Sequence, residues 1–514
     1  MSTRQLFAAR LPESSGYGKI AAGAAATGVI LSEAFEGLMV QAMHLQRQNQ
    51  VAEAMAAYGA ILARWPKLAD AWYNLAVLQR TSSRFDEALH SYQRALAVGV
   101  SRPEEVHLNR GVIFSDILRD HAAAAAELQQ ALTLNPAYTP ALLNLANLYE
   151  DFGKRAEASS LYARVLAIEP QAFEALARFT NLQPVAAIDA ALVQRLREAL
   201  VLATSMSDRA SLGFALGRLL DAQGEYREAF AAYTAANDAS RASAANRIVP
   251  YDRGRQEQLV DLMISGGTPQ ACGSSVEATP RPIFIVGMFR SGSTLTEQLL
   301  AGIPGVAAGG EINFLPQTIE RELPSFEALA ALTTASLDGI AARYRAELLR
   351  VSGSAAFVTD KRPDNFLYIG LIKRLIPDAK IVHTTRDALD NCLSIFFLHL
   401  EQQMSYALNL RDIGHYYRQY RRLMAHWKRQ FDRDIFDFNY DALVSDPETQ
   451  FRALCDFLEL PWPGHVPQVA ARSAAIKTAS VWQVREPLYR HSSGRSSHYL
   501  EELRELRGEL ADLA

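Results

Sequence analysis

Small residues recur along the first third of the chain with a period of about 34, and this regularity limits the fold more than any other feature. Ala42, Ala76, Gly111 and Ala146 are spaced by 34, 35 and 35 positions, and Ala54, Ala88, Ala124 and Ala158 follow them by 12, 12, 13 and 12. Two small positions running in lockstep mark a pair of antiparallel helices, because small side chains are needed where two helices approach most closely. Large apolar residues fill other helical positions, as Trp72, Leu75, Leu78, Phe85, Tyr92 and Leu96 do in one copy, and Pro66, Pro136 and Pro170 end repeats. Such a pair buries its apolar face only by stacking on its neighbours, so the pattern predicts an all-α solenoid. A further copy places Gly217 and Ala229 again 12 apart, and Ala229 lies 71 residues, about two periods, after Ala158. Residues 171–205 are therefore expected to form a degenerate helix pair, followed by a repeat over 208–242 in a solenoid spanning 35–260.

The clear copies, residues 35–170, resemble the tetratricopeptide repeat. That resemblance implies either a scaffold that stabilises the chain or orders a homodimer, or a concave groove that holds a partner or acceptor protein. Residues 1–34 are expected to be a partly flexible N-terminal segment. Of the 514 residues, 49% are hydrophobic and 21% charged, which excludes a largely disordered or collagen-like chain. Lys plus Arg number 52 against 56 Asp plus Glu, and each part of the chain, before and after Pro282, carries 26 against 28. Neither part is basic enough for nucleic-acid or membrane-surface binding on charge alone. Cys272, Cys392 and Cys455 are far apart, with no CxxC pair, which argues against a disulfide framework and a structural zinc site. The apolar stretch Ile20 to Leu31 is Ala/Gly-rich and shorter than the ~20 residues of a membrane span. With no signal-peptide pattern, a cytoplasmic protein without a membrane span is expected.

Between Ile264 and Pro282 the sequence ISGGTPQACGSSVEATPRP is dense in Gly, Ser, Thr and Pro, so residues 261–281 read as a linker. The run Ile283 to Gly287 then has the character of a buried parallel strand and opens an α/β domain over 282–514. It leads into Gly287-Met288-Phe289-Arg290-Ser291-Gly292-Ser293-Thr294 and a helical stretch. The two glycines have the spacing of a phosphate-binding loop, in which main-chain N–H groups and a helix N-terminus face phosphate oxygens. Ser293 stands where such loops carry lysine. Without that cation, and with no acidic strand end assigned to Mg²⁺, ATP or GTP hydrolysis loses a main source of transition-state stabilisation, so a nucleotide lacking a γ-phosphate is the better ligand.

FIVGMFRSGSTLTEQLL resembles the 5′-phosphosulfate loop of sulfotransferases, with Phe289 and Ser293 in place of the usual proline and threonine. DAKIVHTTRDALDNCLSIF resembles the second signature of that family, and its Arg386 and Ser394 match the residues that bind the 3′-phosphate of 3′-phosphoadenosine 5′-phosphosulfate. A guanidinium suits that task because it grips phosphate bidentately. The resemblance implies a P-loop-like domain with a central parallel sheet that binds this donor through Arg290, Ser291, Gly292, Ser293, Thr294, Arg386, Ser394, Tyr440, Ser480 and Arg495. Arg490 is the alternative to Arg495.

Moving a sulfuryl group to a hydroxyl requires charge stabilisation at the leaving oxygen, in-line positioning and a base. The resemblance assigns the first to Arg290 and Lys361, and matches Glu311 to the catalytic glutamate of protein-tyrosine sulfotransferases. His383, within the second signature strand, is the other candidate base, with a core histidine as its plainer fate. Asn313 stands where the tyrosine-specific members carry an arginine, which argues against an acidic-peptide acceptor. The run Tyr416 to Arg433 reads as a core-facing helix with a charged outer side. Together these features predict a sulfotransferase that needs no metal and releases adenosine 3′,5′-bisphosphate. The acceptor is left open between a protein or peptide tyrosine and a saccharide or lipid hydroxyl. The non-enzymatic alternative is a repeat scaffold with a nucleotide-binding domain.

Overall fold

The computed structural model describes residues 32–244, 248–265, 279–323, 332–400, 404–468 and 493–511. The chain divides into two compact units, Met1–Ala175 and Leu176–Ala514. Most of the expected N-terminal segment, residues 1–31, and most of the expected linker, residues 266–278, lie outside the described residues.

Among its described residues the first unit contains four helix pairs: α1 (Ser32–Arg47) with α2 (Val51–Arg64), α3 (Ala69–Thr81) with α4 (Phe85–Ala97), α5 (Pro103–Ile113) with α6 (His121–Leu134), and α7 (Thr139–Asp151) with α8 (Arg155–Ile168). The small residues of the sequence pattern sit where the members of a pair touch. Ala42, Ala54, Ala76, Ala88, Ala124, Ala146 and Ala158 are all wholly buried. A Cβ on Gly111 would lie 3.0 Å from Leu128 Cγ, which shows how little room the α5/α6 crossing leaves. Four residues after the small position of the second helix comes a large buried side chain, Tyr58, Tyr92, Leu128 or Tyr162. One helix turn separates the two positions, so the small residue admits the neighbouring helix and the large one fills the space beside it.

In the second unit, α9 (Phe173–Leu182, where the division falls) and α10 (Ala190–Leu202) precede a longer hairpin of α11 (Met206–Ala222) and α12 (Tyr226–Ala244), and α13 (Arg253–Ser265) follows. The repeat pattern persists in the hairpin: a Cβ on Gly217 would meet the Tyr233 ring at 2.9 Å, and one on Gly213 would meet Ala236 Cβ at 2.9 Å. The hairpin belongs to the same compact unit as the sheet. The reason is side-chain contact. Tyr233 stacks on Phe397 with ring centroids 3.9 Å apart, Phe214 stacks on His399 at 4.9 Å, and buried Asn237 donates to the Phe396 carbonyl at 2.9 Å.

The sheet has five parallel strands in the order β2-β3-β1-β4-β5. In chain order come β1 (Arg281–Gly287), α14 (Ser293–Leu300), β2 (Val306–Ala307), α15 (Phe314–Glu322), α16 (Thr334–Ser352), β3 (Phe357–Lys361), α17 (Ile369–Leu375), β4 (Lys380–Thr385), α18 (Ala388–Phe396), α19 (Leu410–Phe431), β5 (Ile435–Asn439), α20 (Tyr440–Ser445), α21 (Pro447–Phe457) and α22 (Arg504–Leu510). Central β1 is buried from Ile283 to Gly287, as a strand covered on both faces must be. The α14 and α21 side packs Leu295, Leu299, Leu300, Phe451, Leu454 and Cys455 with Ile283, Ile285 and Val382 of the sheet. Helix α19 covers the charged run as expected: Tyr420, Leu423 and Trp427 are buried and its arginines lie along the outer side. Among the described residues no helix is long and apolar enough to cross a membrane.

Candidate functional site

In an open parallel sheet the crevice beyond the carboxyl ends of the strands, where chain order reverses across the sheet, is the place where loops converge on a ligand. Here β1 lies between β3 and β4, with Ile285 beside Lys361 and Gly287 beside Thr384. The strands therefore deliver the Gly287–Gly292 loop, Lys361, Arg386 and Tyr440 to one end of the sheet.

The loop conformation depends on its glycines and on a lock to β4. Gly287 has φ 149°, and a Cβ there would lie 2.4 Å from the Thr384 carbonyl oxygen. Gly292 has φ 103° and caps α14, and its Cβ would lie 3.0 Å from the Tyr440 ring. Ser291 Oγ donates to Met288 O at 2.6 Å and pairs with Thr384 Oγ1 at 2.7 Å, so its side chain turns into the fold and locks the loop to β4. Asn391 Nδ2 donates to Phe289 O at 2.8 Å and holds the loop from α18. The result is a backbone curve closed at its C-terminal end by the first turn of α14, where Ser293 and Thr294 lie buried.

Residues from both sequence signatures meet beside this curve. Arg290, held at φ 68°, donates from Nε to Ser394 Oγ at 3.1 Å although 104 positions separate them. The Arg386 guanidinium lies over the Tyr440 ring, 5.1 Å from its centroid. Arg290 with Ser394, and Arg386 with Tyr440 beside Gly292, thus form two contact groups at the loop. Their chemistry fits a nucleotide that carries phosphates at two places. Two guanidiniums and a hydroxyl supply charge and donors, and glycine at 287 and 292 lets the loop pack against Thr384 and Tyr440 in this shape.

A second group lies on the β3 side. Lys361 Nζ donates to Glu311 Oε1 at 2.7 Å, and the two differ sharply in access: the lysine side chain is 1% exposed and the glutamate 41%. The cation is fixed inside while the carboxylate faces out. Beneath them is Glu297, a residue that the sequence patterns did not bring forward. Its Oε1 accepts from Gly310 N at 2.9 Å and from Thr359 Oγ1 at 2.7 Å, and Thr359 Oγ1 accepts from Gly309 N at 3.1 Å. Lys361 N donates to Gly310 O at 2.9 Å. Burial raises the Glu297 carboxyl above the usual glutamate range, opposed first by the Lys361 charge. The turn that presents Glu311 is therefore tied to the phosphate-loop helix. Periodicity does not reveal Glu297, because α14 is buried along its whole length and has no polar face to read. Asn391 was not singled out from sequence either, although it carries a local signal: it lies three residues before Ser394, on the same helix face.

Other expected positions have different surroundings. His383 bonds Asp437 at 2.7 Å through Nδ1 and the Tyr420 hydroxyl through Nε2, and burial holds it below its ordinary pKa. It is a satisfied core histidine. Arg495 does not join the loop cluster: its Nη2 pairs with Asp221 at 2.6 Å. Ser480 and Arg490 lie outside the described residues. Asn313 accepts from Arg362, which also pairs with Asp364 at 2.8 Å. Among the described residues no cluster of His, Cys, Asp and Glu is placed to hold a metal ion.

Comparison with known proteins adds to this geometry. Residues 282–464 match the sulfotransferase family profile, and residues 39–103, 78–141 and 118–180 match tetratricopeptide-repeat profiles. An uncharacterized protein of Aquifex aeolicus is 30% identical over 397 residues, which cover 73% of this chain and 51% of that protein. Protein-tyrosine sulfotransferase A of Caenorhabditis elegans is 24% identical over 205 residues, covering 36% of this chain and 51% of its own. Protein-tyrosine sulfotransferase 1 of Danio rerio is 24% identical over 200 residues, covering 35% and 53%. The chain spans about half the length of these relatives. With repeats in the first part and both signatures brought to the carboxyl ends of a parallel sheet, the chain is a tetratricopeptide-repeat protein that carries a sulfotransferase-family domain.

Proposed function

We propose that this protein transfers a sulfuryl group from 3′-phosphoadenosine 5′-phosphosulfate to an acceptor hydroxyl. The observation that carries the reading is the convergence of Arg290 and Ser394, 104 positions apart and one from each signature, at the Gly287–Gly292 loop at the end of β1. The donor supplies an activated sulfuryl group on a phosphate leaving group. Main-chain N–H groups of the loop, with Ser293 and Thr294 at the start of α14, bind the 5′ side, and Arg386 with Ser394 binds the 3′-phosphate. Arg290 and Lys361 offset the charge that develops as the bridging oxygen departs. Glu311 takes the proton of the incoming hydroxyl, with Lys361 orienting its carboxylate through the 2.7 Å contact.

The acceptor we assign is a protein or peptide tyrosine. Support comes from the outward-facing Glu311 and from relatives named for that activity. The repeats are the element suited to hold such a polypeptide. Arg362, although beside Asn313, is paired with Asp364, so its charge is already matched and an acidic flank on the peptide is not required.

Thermal stabilisation by adenosine 3′,5′-bisphosphate, compared with ADP, tests the donor assignment. A ligand at 100 times its dissociation constant adds ~2.7 kcal/mol, and preference for ADP or no response to either overturns the assignment. Labelled donor offered to tyrosine peptides beside saccharide and lipid acceptors then tests the acceptor. Transfer to a saccharide or lipid with none to the peptides refutes the tyrosine reading.

A further inference from the structure

The short segment 494–499 connects to both α11 and α18, the helix that carries Ser394. At the start of α18, the Asp390 carboxylate is 2% exposed and accepts from the main-chain nitrogens of Gly494 at 2.5 Å and Ser496 at 2.7 Å. Arg495, between those two residues, turns the other way. Its Nη2 meets Asp221 Oδ2 at 2.6 Å and its Nε meets Asp221 Oδ1 at 3.3 Å, a forked pair with the last turn of α11. The Tyr499 hydroxyl donates to the same Asp221 carboxylate. Just beyond the end of α18, Phe397 receives the Arg495 guanidinium over its ring at 5.0 Å, the edge of Tyr499 at 5.0 Å and the face of Tyr233 at 3.9 Å. Asn237 of α12 adds the bond to the Phe396 carbonyl.

Helix α18 is therefore gripped at both ends. Its first turn is held by the backbone around Arg495, and its last by the α11/α12 hairpin to which Arg495 is tied. Between the two grips lie Asn391, which holds the phosphate loop, and Ser394, which meets Arg290.

We propose that the Asp221–Arg495 pair is a positioning element of the donor site. It transmits the placement of the repeat-like hairpin to Ser394 through α18, and Arg495 does not itself touch the donor. A guanidinium committed to a forked carboxylate has its Nε and Nη2 donors used, and drawing it away would leave the Asp221 carboxylate with the Tyr499 hydroxyl but without its charged partner. The inference rests on the proposed donor, and it makes the last helical hairpin part of the transferase site and not only a neighbour of it.

A double-mutant cycle on the full chain separates this role from direct contact. Asp221→Ala, Arg495→Ala and the double variant are titrated with adenosine 3′,5′-bisphosphate by calorimetry, at a temperature well below the melting point of each. A positioning pair predicts that both single variants weaken binding by a similar factor, about tenfold, and that the double variant is no weaker than either single one. Asn237→Ala, which cuts the second link without touching a charge, should weaken binding in the same direction and serves if the charge variants fail to fold. Loss of affinity in Arg495→Ala with Asp221→Ala unchanged would show direct donor contact and overturn the proposal. So would unchanged affinity in all folded variants, which would make the pair a stabiliser of the fold alone. No binding by the unaltered protein would refute the donor assignment itself, a result distinct from either of these.

Discussion

Replacing Glu297 tests whether the turn that presents Glu311 is held by the hydrogen bonds described above. In Glu297→Ala the main-chain N–H of Gly310 and the hydroxyl of Thr359 lose a shared acceptor at a 4% exposed position. An unsatisfied buried donor costs about 1–3 kcal/mol, so the loss should be about 2–6 kcal/mol before any cavity is counted. Glu297→Gln keeps an oxygen that accepts both bonds and should cost about 1–2 kcal/mol, for placing an amide near the Lys361 cation. Urea unfolding followed by tryptophan fluorescence measures both, with the slope checked for constancy so that midpoints report stability. The same pair of variants carries a pH signature. Because burial raises the Glu297 carboxyl in the folded protein, the folded state binds more protons than the unfolded one above about pH 4.5, and stability falls as pH rises through that window. Glu297→Gln removes that contribution to the slope. Turnover should drop in Glu297→Ala, since Glu311 and Lys361 lose their common support, while affinity for adenosine 3′,5′-bisphosphate changes little. Equal destabilisation by Ala and Gln would refute the hydrogen-bond account, and full turnover in a folded Glu297→Ala would show that the tie to Gly310 does not orient Glu311.

Arg386→Ala should weaken adenosine 3′,5′-bisphosphate by about 10–100-fold, the worth of a charged hydrogen-bonding group, and Ser394→Ala by less than about tenfold; calorimetric titration checks both, and equal effects would contradict the assigned roles. Glu311→Gln should lower turnover by roughly 10²–10⁴-fold with donor affinity nearly unchanged, and partial rescue by a more acidic phenol acceptor distinguishes it from Lys361→Ala. Burial pushes the Asp360 carboxyl up to about 7, against hydrogen bonds from Tyr344 and Asn365, so it destabilises the fold progressively as pH rises from about 4 to 7, on the order of 4 kcal/mol in all. Asp360→Asn should flatten the stability profile over that interval, and an unchanged profile from equilibrium unfolding would refute the assignment. A chain beginning near residue 176 should fold and bind the nucleotide, whereas one beginning at 261 removes Tyr233, Asn237 and Asp221 from α18 and its clamp and should bind more weakly; the two are compared by circular dichroism and calorimetry.

The repeats and both signature segments could be read without a structure because each is set by interactions short in sequence. A helix pair needs a small residue where its helices cross, so Ala42 and Ala54 declare the pair within a dozen positions, and the phosphate loop needs glycine where φ is positive, which marks Gly287 and Gly292. Of the two readings open for His383, its bonds to Asp437 and Tyr420 inside β4 fit the core histidine. Glu297 escaped because it lies on a helix buried on every side, where the apolar pattern that exposes a polar position is missing.

What the sequence determined by itself is therefore the kind of parts: a repeat array with small residues at its crossings, a strand–loop–helix that can face phosphate, and a strand–helix that carries Arg386 and Ser394. Tertiary structure decided which of these parts work together. The strand order places β1 between β3 and β4, and only that order brings Lys361 to one side of the loop and Ser394 to the other. It likewise brought Arg495 to Asp221, 274 positions away. The physical reason is that a guanidinium goes to whichever carboxylate the packed chain buries beside it, and no local pattern records a neighbour supplied by another element.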